Sequence, residues 1–170
     1  MIFNNAQRLT TRLPASNLHR AMSIFKRLLN WLAFNDAIGD RSGTRSAKPL
    51  TERQLLGNKG EDHAAAMLEK RGDALVVRNW SCNSGEIDLV TWHKDTLVFT
   101  EVRTRSGTSF GTPAETVDRK KQKKIRRSAH AFLARRFRDG KLPSCRFDVV
   151  WIIAKDGEIA DSGIIENAFI

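Results

Sequence analysis

The chain has 170 residues, with 29 Lys and Arg against 19 Asp and Glu and a formal net charge of +10, which suits one domain plus a tail and a polyanionic partner. Two cysteines outside any Cys-x-x-Cys pair and four scattered histidines argue against zinc-ribbon, redox and His-based metal sites and for a reducing, cytoplasmic compartment. No apolar run approaches the roughly 18 residues that a bilayer span needs, and the absence of tyrosine removes phenolic nucleophiles.

Residues 1–21 carry Arg8, Arg12 and Arg20 and no acidic side chain, a composition with some likeness to a transit peptide. A start codon placed too early, with Met22 as the true beginning, is the simpler expectation. Ser23 to Phe34 has the apolar spacing of an amphipathic helix, with Ile24, Phe25, Leu28, Leu29, Trp31 and Leu32 beside Lys26 and Arg27. The following stretch to Pro49 is rich in Gly, Ser, Arg and Asp and reads as a flexible linker. The expected organisation is an N-terminal extension over 1–49 and an α/β domain over 50–170.

A helix is expected from Thr51 or Glu52 to about Arg71, pausing at Gly57 and Gly60 and ending at Gly72, with Leu56, Ala64, Met67 and Leu68 as its buried stripe. Glu61 falls on that stripe, where a carboxylate is unusual. It either pairs with Arg71 or Lys59, or is aimed at other acidic groups. Ala74 to Trp80 gives the first strand, and Ser81 to Gly85 a turn cluster.

Strands two and three centre on Ile87-Asp88-Leu89-Val90 and Leu97-Val98-Phe99, which read as buried on both faces. The Trp92–Thr96 segment between them is turn-sized, so a hairpin is expected. Alternation puts Phe99, Glu101 and Arg103 on one face of the third strand. Hairpin pairing brings Asp88 beside Glu101. Charges at strand ends are often a solvated ladder worth little. Carboxylates at the ends of fully buried strands, however, need a partner or a function. Two carboxylates and a cation here make a hard-cation site able to hold a phosphodiester.

Ser106 to Pro113 is a loop leaving the third strand beside this centre, a placement that favours substrate contact. A second helix is expected from Glu115 to about Arg138, with Ile125, Ala129, Phe132, Leu133 and Phe137 as its apolar stripe. Seven of the nine residues from Arg119 to Arg127 are basic, with no acid after Asp118 to balance them, so phosphate contact is the expected role. Lys121, four residues before Ile125, is on the stripe side and directed toward the acidic centre. Arg146 to Ile153 forms a fourth strand, parallel to the third after a right-handed crossover. Asp156-Gly157 then turns into a short edge strand near Ile159.

From Gly57 to Ile152 the chain resembles the YraN-like family of small bacterial proteins, itself similar to Holliday-junction resolvases and other nucleases of the restriction-endonuclease-like fold. The matching pieces are Gly57-Asn58-Lys59-Gly60-Glu61 with Ala64-Ala65, Asn79-Trp80, Gly85-Glu86-Ile87-Asp88-Leu89 and Phe99-Thr100-Glu101-Val102-Arg103-Thr104-Arg105. Phe110-Gly111-Thr112-Pro113, Lys121-Gln122 and Arg146-Phe147-Asp148-Val149-Val150 follow in the same order. The resemblance implies a nuclease-type acidic centre at Glu61, Asp88 and Glu101. Arg103 stands where the wider nuclease group usually has lysine.

The expected fold is thus α/β, a restriction-endonuclease-like core with a mixed central sheet in the order helix-strand-strand-strand-helix-strand. The expected function is metal-dependent cleavage of DNA, with branched or structured DNA the favoured substrate. Mg2+ or Mn2+ is held by Glu61, Asp88, Glu101 and the carbonyl of Val102, and Arg103 acts as an electrostatic clamp. Arg105, Lys120, Lys121, Lys123, Lys124 and Arg127 are the expected nucleic-acid contacts. The alternative is a non-catalytic nucleic-acid-binding protein on an inactive nuclease scaffold, with RNA or ribosome association a third reading. DNA is the preferred partner, and a homodimer stays open.

Overall fold

The computed structural model describes residues 49–106, 117–138 and 140–170. The expected extension up to residue 48, most of the loop after Ser106 and the expected helix start at Glu115 lie outside the described residues.

Helix α1 spans Glu52–Arg71. Thr51 and Gln54 close a reciprocal capping box at its start, and Gly72, at φ 96°, ends it in the left-handed conformation that glycine adopts without strain. The helix runs through Gly57 and Gly60 without the expected pause. Gly60 serves packing instead: a Cβ there would collide with Thr104 Oγ1.

Five strands follow: β1 (Ala74–Cys82), β2 (Gly85–His93), β3 (Thr96–Ser106), β4 (Ser144–Lys155) and β5 (Glu158–Ile165), with α2 (Arg119–Arg136) between β3 and β4. They form one mixed sheet in the order β1-β2-β3-β4-β5. Every neighbouring pair is antiparallel except β3 and β4, which run parallel, as the crossover through α2 requires. The expected turn cluster before β2 contracts to Asn83-Ser84, because β1 pairs as far as Cys82 with Gly85.

Two expectations are corrected. Helix α2 starts at Arg119, where the Asp118 side chain accepts from the Lys121 N–H as N-cap. The last strand lies at the sheet edge as expected but is not short, running over Glu158–Ile165. Asp156 and Gly157 both sit at positive φ, 53° and 79°, as a type I′ turn requires, and β5 then pairs with β4 from Glu158 to Ile165. The observed order is therefore helix-strand-strand-strand-helix-strand-strand.

The alternation of β4 separates two cores. Val150 and Ile152 pack with Ala64 and Leu68 of α1 and with Leu89 of β2. On the other face, Val149 packs with Ile125 of α2, Val117 and Phe169, and Phe132 meets Phe99 edge-on at 5.7 Å. Each fully buried large side chain of this kind contributes roughly 1.5–3 kcal/mol. The helices thus cover opposite faces of the sheet. Phe99, Glu101 and Arg103 of β3 share the α2 face, and Val102 and Thr104 share the α1 face. Among the described residues no helix is long and apolar enough to cross a membrane.

Candidate active site

The β2–β3 ladder ends at the pair Leu89↔Thr100. The next two residues in that register are Asp88 and Glu101, so the hairpin sets the two carboxylates opposite each other where the strands part. Beyond this point a side chain replaces the ladder: the Val102 N–H donates to Asp88 Oδ2 at 2.7 Å. The N–H and C=O of one strand residue project the same way. The Val102 carbonyl therefore also faces the gap between β2 and β3.

Glu101 is only 3 % exposed. Both nearby cations approach its Oε1, Lys121 Nζ at 2.8 Å and Arg103 Nε at 3.4 Å. The Arg103 contact is an ion pair without hydrogen-bond geometry, and Arg103 Nε is buried without a hydrogen-bond partner. Glu101 Oε2 is likewise buried with no partner. Burial, then the neighbouring Glu101 charge, push the Asp88 carboxyl up to about 7, while the Val102 N–H and Lys121 pull against them and Glu61 adds to the rise.

Glu61 is half-buried, and with Val102, Arg103 and Thr104 it lines a groove between α1 and the end of β3. Neither partner considered for it in the sequence takes that role. Lys59 pairs with Glu158 at 2.7 Å, and Arg71 pairs with Asp73, Asp148 and Glu166. Among the described residues no group of three or more His, Cys, Asp or Glu side chains is arranged to hold a metal ion.

Of the expected nucleic-acid contacts, Arg105, Lys120, Lys123, Lys124 and Arg127 are exposed. Lys121 differs, being half-buried and turned onto Glu101. Its place one turn into α2, four residues before buried Ile125, sends it inward while its neighbours face water.

The sequence reading missed a second charged cluster at the opposite end of the sheet. Arg71 donates to Asp73 Oδ1 at 3.0 Å, to Asp148 Oδ2 at 3.2 Å and to Glu166 Oε1 at 2.9 Å. Thr91 and His93 donate to Asp73 at 3.0 and 2.6 Å, and Arg146 grips Asp148 with two bonds at 2.8 and 2.9 Å. Burial opposes the Asp73 charge, yet Arg71, then His93 and Thr91, hold its carboxyl below the usual range. The signal available in the sequence was an aspartate at position 148 flanked by Phe147 and Val149-Val150, with Arg146 two residues before it on the same face. The cluster is satisfied internally and ties α1, β2, β4 and the C-terminal segment together.

Residues 60–152 match the uncharacterised protein family UPF0102. A UPF0102 protein of Desulforamulus reducens is 41 % identical over 119 residues, which is 69 % of this chain and 97 % of the relative. One from Stutzerimonas stutzeri is 46 % identical over 120 residues, covering 71 % and 98 % of the two chains. A third, from Herminiimonas arsenicoxydans, is 47 % identical over 110 residues, or 64 % and 86 %. The match spans the helix that carries Glu61, the hairpin that carries Asp88 and Glu101, and the helix that carries Lys121, and the chain belongs to the UPF0102 family.

Proposed function

We propose that this protein is a metal-dependent endonuclease acting on DNA, with branched or structured DNA as the target. The observation that carries the reading is the facing of Asp88 and Glu101 at the end of the β2–β3 ladder, with Glu101 Oε2 buried and without a partner. A buried carboxylate oxygen in that state costs free energy unless a cation or a donor meets it. Asp88, Glu101 and the Val102 carbonyl are all oxygen donors, the set that suits Mg2+ or Mn2+, with Glu61 joining directly or through water. Magnesium is commonly bound by one or two carboxylates, its other positions being filled by waters and substrate phosphate. A set of fewer than three side chains therefore fits. When bound, such an ion supplies a water of lowered pKa and a counter-charge for the developing phosphorane.

The chain's own residues do the rest. The Val102 N–H orients Asp88, and Lys121 fixes Glu101 through Oε1 so that Oε2 stays available. Arg103 is permanently charged and acts as an electrostatic clamp on the phosphodiester, not as a proton acceptor. The exposed cations of α2 and Arg105 neutralise flanking phosphates.

One observation favours a second reading, a scaffold that binds nucleic acid without cutting it: Lys121, 2.8 Å from Glu101, already neutralises part of the acidic centre. Two measurements decide between them. Calorimetric titration of Mn2+ is expected to show binding that Asp88→Asn and Glu101→Gln each weaken at least tenfold. Single-turnover assays on branched, flapped, nicked and linear DNA are expected to show Mg2+- or Mn2+-dependent cleavage that both variants lose. Tight DNA binding with no cleavage of any substrate, and metal affinity indifferent to both substitutions, would replace the enzyme by the binding scaffold.

A further inference from the structure

We infer that the groove between the first turns of α1 and the end of β3 takes a single, unpaired nucleic-acid strand, so that the protein engages a junction between duplex and single strand. This rests on the nuclease reading and adds to it the form of the substrate. The groove has a volume of about 1160 Å3, with Arg53, Leu55 and Leu56 on the α1 wall and Thr104 and Arg105 on the β3 wall. Small-molecule pockets usually hold about 300–1,000 Å3, so this is a track more than a ligand pocket. Glu61, Val102 and Arg103 also line it, so one end of the track borders the acidic centre, whose Asp88 and Glu101 adjoin Val102 and Arg103.

Its charge and apolar surface point to one kind of occupant. Arg53 and Arg105 are exposed, and neither forms an ion pair among the described residues. Lys59 is already spent on Glu158. Leu55, which lines the same groove, stands 54 % exposed. Cations spaced along a groove suit a phosphate backbone, and an apolar side chain among them suits a base face. A duplex stacks its base faces inside, so only an unpaired strand offers both.

The position of the second cationic surface selects the junction. Lys120, Lys123, Lys124 and Arg127 belong to α2, which packs through Ile125 and Phe132 on the Val149 and Phe99 face. The groove belongs to α1, which packs through Ala64 and Leu68 on the Leu89 and Val150 face. The two helices lie on opposite faces of the sheet, the groove reaches β3 from the α1 side, and Asp88 and Glu101 lie where β2 parts from β3. A straight duplex can lie along one surface only. A duplex whose strand peels away at the acidic centre reaches both.

The test uses the full chain in chelator, with fluorescence anisotropy of three labelled probes: an oligo-dT strand, a blunt duplex and the same duplex with a single-stranded flap. The double variant Arg53→Gln/Leu55→Ser alters two exposed side chains outside the acidic centre. It is expected to weaken the dT strand and the flap by about tenfold or more and to leave the blunt duplex unchanged. Lys123→Gln/Lys124→Gln is expected to weaken the blunt duplex and leave the dT strand unchanged. A blunt duplex bound well with no dT binding, or dT binding indifferent to Arg53→Gln/Leu55→Ser, overturns the inference while the nuclease reading stands. No binding to any of the three probes overturns both.

Discussion

Glu101 divides its two oxygens between different tasks, with Lys121 and Arg103 on Oε1 and nothing on Oε2. That asymmetry predicts different outcomes for the two cations. Arg103→Ala is expected to abolish cleavage while sparing Mn2+ affinity, because Arg103 supplies no ligand. Arg103→Lys is expected to keep or raise cleavage, since lysine brings the same charge and can also assist the attacking water. Single-turnover assays across pH separate the two variants. Asp88 gives a stability signature independent of activity. Its carboxyl is pushed from 3.8 in an unfolded chain to about 7 in the fold, so the native state binds the proton more tightly. The stability it contributes is complete below the unfolded value and is lost as pH rises through about 7. Asp88→Asn is therefore expected to raise the unfolding free energy of metal-free protein at pH 8, read from urea melts, by on the order of a few kcal/mol, with the gain vanishing toward pH 4. A difference that does not change with pH would show Asp88 ionised throughout.

At the scale of elements, the site depends on how closely α1 approaches β3. Gly60 sits against Thr104, and the next residue is Glu61. Gly60→Ala is expected to force the helix outward, costing about 1–3 kcal/mol in urea melts and most of the cleavage. Adding Thr104→Ala removes the colliding hydroxyl and is expected to restore stability, a coupling that a double-mutant cycle measures. Helix α2 carries the complementary prediction. Changing Lys120, Lys123, Lys124 and Arg127 together to Gln is expected to flatten the salt dependence of duplex binding, each lost phosphate contact lowering the log–log slope by roughly 0.9. An unaltered slope would assign duplex binding to another surface. Element types were legible in the chain from the cap signals of α1 and the apolar runs of the hairpin and β4, while the expected order stopped one strand short of the observed one. Boundaries were less so. Asp118 was read as the last acid before a basic run, and its role as the cap that starts α2 depends on a backbone geometry that composition does not carry. Gly60 was read as a helix pause for the same reason: a close approach between distant segments leaves no local mark.

For the whole molecule, the Arg71–Asp73–His93–Asp148–Arg146–Glu166 cluster fastens α1, β2, β4 and the C-terminal segment at the end of the sheet away from the acidic centre. Asp73 and Asp148 side chains are fully buried. Asp148→Asn strips charge from between two arginines, and its expected cost is about 3–5 kcal/mol in urea melts, because it leaves buried charge uncompensated. Mn2+ affinity at the acidic centre is expected to stay unchanged. A matching loss of metal affinity would mean that the two ends of the sheet are energetically coupled. Asp73, held below its usual range by Arg71 and His93, contributes stability above the unfolded carboxylate value that disappears as pH falls through its folded value. Its effect is opposite in sign to that of Asp88.

The sequence by itself determined the basic charge, the α/β class, the hairpin, the parallel crossover and the facing of Asp88 and Glu101. Each of these follows from alternation, turn chemistry or composition, which are local properties of the chain. The spacing of Lys121 from Ile125 likewise directed it toward the acidic centre, where it meets Glu101. Only the tertiary structure decided that Lys121 and Arg103 both approach Oε1, that Glu101 Oε2 is left without a partner, and that Arg71 serves Asp73 and Asp148 instead of Glu61. It also decided that the two helices fall on opposite faces of the sheet. Which of several nearby charges pair, and which atoms lose water, depends on burial and on distances between segments far apart in the chain, and the free energy of a charge is set by those surroundings.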